Sequence, residues 1–394
     1  MTDATDLVRA RAKVVAVAGG LLGIAAAFAA RGLLFRQTRV HRGDAASFVD
    51  ALGAWGWVLV AIWAGAIVIT LSPAPERVKG MVVTLLGGAA PVLMVWRSGA
   101  EATRYVETAG DIARTSFGWA FWLSLFAAYV VIFAATAWLP PGILRTALTY
   151  APVAGVIILA VNGAVGEMGI AREYANNADG FWREFRLHLT YVWGAVGVGL
   201  VSGLGLGILA AKRAPLEPAV FGVLNILQVL PTLAFIGLMN PVLSSLSDAV
   251  PLLARLGVRG VGWAPVLIVL SAYAVYPIAR NTYAAIVSLD PEVVDAARGV
   301  GMGRWRLLIE VELPLALPVI VAGLRIALVQ STAGAIVAGL VGGGGLGAFV
   351  FLGAGEVATD LILLGVLPIM ALALFFDRTV LALEHATGYW SRAS

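Results

Sequence analysis

Apolar residues in this chain come in runs of about twenty, separated by short polar or proline-containing breaks. Twenty residues of α-helix rise about 30 Å, the thickness of the hydrocarbon core of a bilayer. By that criterion about ten spans are expected, over roughly 13–35, 51–72, 79–96, 117–138, 146–165, 188–211, 218–239, 262–287, 315–341 and 361–383. Pro73 and Pro75, Pro140 and Pro141, and Pro215 and Pro218 fall at the breaks, where proline ends helices. The runs do not alternate apolar and polar positions as strands of a membrane barrel do. The pattern therefore predicts an all-α, polytopic membrane protein. Arg9, Arg11 and Lys13 precede the first run, which ends in Ala27, Phe28, Ala29 and Ala30. That run is longer than the apolar centre of a signal peptide, so a retained signal-anchor helix is expected.

Composition sharpens this. Of 394 residues, 60% are hydrophobic and 13% charged, against about a quarter charged in soluble domains. There is no cysteine, which excludes disulfides, thiol chemistry and cysteine-ligated metals. His41, His188 and His385 are far apart and form no metal-binding spacing. The net charge of +4 is spread through loops and leaves no nucleic-acid footprint. Arginine and lysine divide almost evenly between the two sides, so loop charge does not orient the chain. If the polar loop 288–314 is inside, both termini are inside.

The polar signals are uneven. Residues 1–165 hold five apolar spans and no motif. Residues 166–187 are polar with aromatic insertions and read as an external or interfacial linker. Residues 188–394 hold the densest glycine and polar features, including the loop 288–314. Within it, Asp290 suits a helix cap, Pro291 the first helical position and Glu292 the positive end of the helix dipole. Gly299, Gly301 and Gly303 let the chain leave the helix, and a second short helical stretch is expected from Trp305 to Glu310. These features alone fit either a helix lying on the membrane surface or one docking in a groove on a partner, which small Ala296 and Ala297 would permit.

The spacing goes further. Asp295-Ala296-Ala297, then Gly301, then Leu313-Pro314, followed by Pro318 and Gly323, resembles the cytoplasmic coupling loop of ABC-importer permeases, although Asp295 stands where glutamate is usual. The stretches Leu224 to Leu238, Leu270 to Tyr283 and Leu340 to Gly347 resemble permeases for glycine betaine, choline, carnitine or proline, and the extra N-terminal spans point to a longer subclass. The resemblance implies a type I importer core in the C-terminal half and a bacterial cytoplasmic-membrane location. It also implies three partners: a pair of ATPase subunits gripping the loop, a second permease subunit and an external solute-binding protein. The chain has no Walker-type nucleotide loop, so ATP is expected on the partner, with no cofactor and no enzyme activity here. No solute-binding domain follows the last span, so the binding protein is expected to be a separate polypeptide. The outside segment 240–261 is a candidate docking surface for it.

Related permeases for methionine or sulfonates share the coupling loop and remain an alternative. An ion-coupled secondary transporter is a second, disfavoured by the absence of an internal repeat and the scarcity of acidic residues in the spans. Polar groups inside spans suggest a translocation path: Asn225, Gln228, Thr232, Arg325 and Gln330, with Tyr273, Tyr276 and Phe235 offering π-faces to a quaternary ammonium. Interhelical hydrogen bonding is the competing reading for each. Arg325, about 15 Å into its span, needs water or a partner on another helix. Arg280 and Asn281 are expected to anchor the coupling loop. Gly199, Gly203 and Gly207 lie on one helix face suited to close packing. The glycines at 342–347, with no lysine after them, read as a tight, flexible outer turn rather than a phosphate cradle.

Overall fold

The computed structural model describes residues 2–38 and 43–393, with side chains from 7 to 384 apart from the same gap; His41 lies outside the described residues. The chain divides into two units, residues 1–176 with 357–360, and residues 177–356 with 361–394.

The first unit contains α1 (Thr2–Phe28), β1 (Leu33–Arg36), β2 (Asp44–Ala46), α2 (Phe48–Leu52), α3 (Ala54–Leu71), α4 (Glu76–Ala109), β3 (Arg114–Phe117), α5 (Trp119–Ala135), α6 (Ile143–Val161) and α7 (Gly169–Asn176). Its core is built around fully buried Phe48, Leu59, Trp63 and Met94. The helical architecture is as expected, with one addition. The three strands form an antiparallel sheet in the order β2-β1-β3, pairing Leu33 with Ala46 and with Phe117. Strands of three or four residues leave no periodic signal in a sequence. A buried polar group sits in the same unit: Ser116 Oγ donates to Asp360 Oδ2, and Arg36 and Glu173 are also buried.

The second unit contains α8 (Ala178–Lys212), α9 (Glu217–Val229), α10 (Thr232–Ala249), α11 (Pro251–Arg255), α12 (Trp263–Val287), α13 (Pro291–Gly299), α14 (Arg304–Leu307), α15 (Leu313–Gly334), α16 (Gly347–Gly355) and α17 (Thr359–Ala393). α8 starts ten residues earlier than expected and, with α7, takes up the supposed linker. Asp179 sits in its first turn, where Phe181 stacks on Phe185 and Trp182 meets both rings edge-on, an aromatic cluster suited to a membrane interface. α8 packs closely on α12. A Cβ on Gly199 would meet Ala274 Cβ at 2.6 Å, and one on Gly207 would meet the Ala279 carbonyl oxygen at 2.6 Å. The glycine face is therefore a packing face.

Among the described residues nine helices are long and apolar enough to cross a membrane, or ten if α9 and α10, bent by 103°, make one span. The break is Leu230-Pro231, where proline has no N–H to give and holds the preceding residue extended. Crossings by α15 and α17 leave the loop 288–312 and the end of α17 on one side.

Candidate functional site

The loop after α12 is built by local rules. The Asp290 carboxylate accepts from Glu292 N–H at 2.9 Å, capping α13, with Pro291 at its first position. At the other end Gly301 has φ +85°, its N–H donates to the Arg298 carbonyl, and Met302 N–H donates to the Ala297 carbonyl. This is a Schellman turn, and its left-handed residue is the glycine of the motif. Asp295 is exposed and pairs with Arg298 at 3.1 Å. Ala296 is exposed, whereas Ala297 is buried against the protein, so only the first alanine faces outward.

The expected second helix is α14 followed by a π-helical turn, Leu308–Glu312, in which Leu313 N–H donates to Leu308 five residues back. Pro314 has no N–H for the Glu310 carbonyl, and the turn before it widens. Leu308 packs with Ala285, Ile286, Ala316 and Ile320, with half-buried Leu313 beside them. Buried Glu312 takes an ion pair from Lys212 at the end of α8. The base of the loop is thus fixed while its crest is free: Val300 and Trp305 are each 77% exposed. Sequence reading took Val300 as part of the apolar side of the first helix and Trp305 only as the start of the second, although a tryptophan between Arg304 and Arg306 in a polar loop is the available signal for an exposed crest. Arg280 and Asn281 do not anchor this loop. Arg280 reaches Glu217 at 3.8 Å and lies over the rings of Phe221 and Tyr283, and Asn281 donates to the Pro277 carbonyl on its own helix.

The intramembrane polar residues fall into separate groups. Tyr273 Oη donates to the Leu230 carbonyl at the α9–α10 break, and its ring meets Phe235 edge-on at 6.2 Å. Gln228, whose Oε1 is buried with no hydrogen-bond partner among the described residues, and half-buried Thr232 flank the same break. Tyr276 packs instead with Phe221 and Leu224, and Asn225 is exposed. Arg325 pairs with Asp377 of α17 at 2.7 Å, with Glu384 at 3.9 Å. Half-buried Gln330 lies five residues beyond it on α15. Asp377 was missed in the sequence because a lone acid near the end of an apolar run resembles a boundary. The 342–345 turn is pinned rather than flexible: Tyr191 Oη donates to the Gly343 carbonyl, and Gly345 N–H donates to Glu184 Oε2 at 2.6 Å. Among the described residues no cluster of His, Asp and Glu suits a metal ion.

Residues 203–388 match the family model described as binding-protein-dependent transport system inner membrane component. Residues 10–171 match that of the ABC transporter permease YehY, N-terminal domain. The chain is 35% identical over 198 residues to the carnitine transport permease protein OpuCB of Listeria monocytogenes, covering 50% of this chain and 84% of that one. It is 32% identical over 191 residues to the glycine betaine/carnitine/choline transport system permease protein OpuCB of Bacillus subtilis, covering 48% and 81%. It is 35% identical over 190 residues to the osmoprotectant import permease protein OsmW of Salmonella typhimurium, covering 48% and 83%. Among solved structures, an inward-facing MetNI methionine ABC transporter matches at 23% identity and TM-score 0.45, covering 52% of this chain and 94% of that one.

Proposed function

Because the chain belongs to the family of binding-protein-dependent transport system inner membrane components and is an ABC-importer permease, we propose that it carries a quaternary-ammonium osmoprotectant across the bacterial cytoplasmic membrane. The substrate class is supported by relatives named for carnitine, choline and glycine betaine. The observation that carries the mechanism is the loop 288–312, rigid at its base and exposed at its crest. α13, with Asp295, Ala296 and Ala297 and the Gly301 turn, seats in an ATPase subunit. Closure of two ATPases around ATP moves α13, and Leu308, Glu312, Leu313 and Pro314 pass that motion into α15 and α8. One core per chain calls for a second permease subunit, closed by a twofold axis. A binding protein delivers solute to the face opposite the loop. Gln228, Thr232 and Tyr273 at the helix break line the path, with Asn225, Tyr276, Arg325 and Gln330 as outlying members. The first unit, 1–165 with its linker, is accessory to this pathway.

The test is uptake of radiolabelled glycine betaine into proteoliposomes holding this chain, its ATPase and its binding protein, with and without internal ATP. ATP-dependent uptake, blocked by choline or carnitine and abolished by Ala296→Trp, is expected. Uptake blocked by methionine alone transfers the substrate assignment; uptake indifferent to ATP overturns the mechanism.

A further inference from the structure

On the face opposite the coupling loop, the second half of α10 and the chain between it and α12 surround an open cavity of ≈ 390 Å³ lined by Asn240, Ser244, Ser247, Asp248, Arg259 and Gly260. The 25 residues of α12 separate this cavity from the loop, about 37 Å of helix, so it opens at the outer mouth. Its wall is held by one close approach: a Cβ on Gly260 would lie 2.4 Å from the Asn240 carbonyl oxygen. That contact seats the adjacent Arg259 beside α10. Asp248 and Arg259 line the same cavity with opposite charges. Yet among the described residues neither has a hydrogen bond or an ion pair, with the other or with any third group. Ser247 is 8% exposed, and its hydroxyl likewise has no partner among the described residues.

We infer that this cavity is an entry site for a small zwitterion, with the solute carboxylate on the Arg259 guanidinium, its cationic end toward Asp248, and the Ser247 hydroxyl available to the carboxylate. The two exposed charges line one cavity with no ion pair between them, and a solute carrying both complementary charges satisfies them together, whereas a plain cation satisfies only Asp248. The volume is at the lower end of that of small-molecule sites, the size class of a betaine or an amino acid. An open, hydrated site binds weakly, which suits a pathway that must release its solute. The inference rests on the osmoprotectant reading and adds a preference of zwitterion over cation, made by the permease itself.

The experiment uses the full chain in lipid nanodiscs without binding protein. Saturation-transfer NMR reads the N-methyl protons of glycine betaine, and of choline, which lacks the carboxylate. Betaine should give a signal above empty nanodiscs. Arg259→Gln should weaken apparent betaine affinity about tenfold and leave choline unchanged, and Arg259→Lys should recover part of the loss. Asp248→Asn should weaken both solutes. A betaine titration identical in wild type and Arg259→Gln, or no signal above empty nanodiscs, overturns the site. So does an Arg259→Gln variant whose sole defect is weaker capture of the binding protein, which makes this face a protein-docking surface. ATP-driven betaine uptake by the assembled transporter with no Arg259-dependent binding overturns this site alone; failure to take up any osmoprotectant overturns the reading beneath it.

Discussion

Arg325 Nε donates to Asp377 Oδ1 at 2.7 Å, tying the middle of α15 to α17. A charge at that depth is costly unless matched, and each residue is the other's match. Asp377→Ala and Arg325→Met should each lower the thermal midpoint of the solubilised protein by several degrees. The double variant should lose less than the sum of the two, as neither of these two charges is left facing the other's vacancy and only the longer contact of Arg325 with Glu384 is lost besides. Strictly additive losses would show that the two do not act as a pair.

Gly301 is the left-handed residue of the turn that ends α13. Any side chain there costs about 1–2 kcal/mol and reopens the turn. Gly301→Val should leave the protein in the membrane, yet remove solute-stimulated ATP hydrolysis by the assembled complex. Hydrolysis at the wild-type rate would mean that the shape of the turn does not transmit force.

Tyr273 supplies the donor for the Leu230 carbonyl at the helix break. Tyr273→Phe removes that bond at a cost of about 1 kcal/mol and should lower both thermal midpoint and uptake rate. Tyr276→Phe, which touches a different cluster, should leave the thermal midpoint unchanged. Equal effects of the two substitutions would point to a general requirement for the hydroxyls rather than to the bond at the break.

Trp305 lies on the exposed crest of the loop, so Trp305→Ala should leave thermal stability unchanged. If the crest docks on the ATPase, the same substitution should weaken subunit association by about 2 kcal/mol, roughly thirty-fold. Co-purification and titration of the two subunits in detergent measure this directly.

Much of this was legible in the residues because the physics behind it is local. Span length follows from bilayer thickness, and the breaks at Pro73, Pro140 and Pro215 follow from a missing N–H, whereas the expected span 218–239 ran straight through the bend at Pro231. Asp290, Pro291 and Gly301 act within a few residues of themselves, so the cap, the first turn and the exit of α13 could be read at fixed offsets. By itself, then, the sequence determined the class, the approximate spans and the local build of the polar loop 288–312. The tertiary structure alone decided which polar residues meet: Tyr273 with Leu230 across 43 residues, Arg325 with Asp377 across 52, and Lys212 with Glu312. It also decided that Ala297 faces inward, that Arg280 serves α9 rather than the loop, and that Arg259 and Asp248 share a cavity. The reason is that membrane helices are apolar nearly all round, so periodicity does not say which face meets which neighbour. Partner choice among such helices is set by close packing at glycines and by a few polar pairs, and these exist only once the chain is folded.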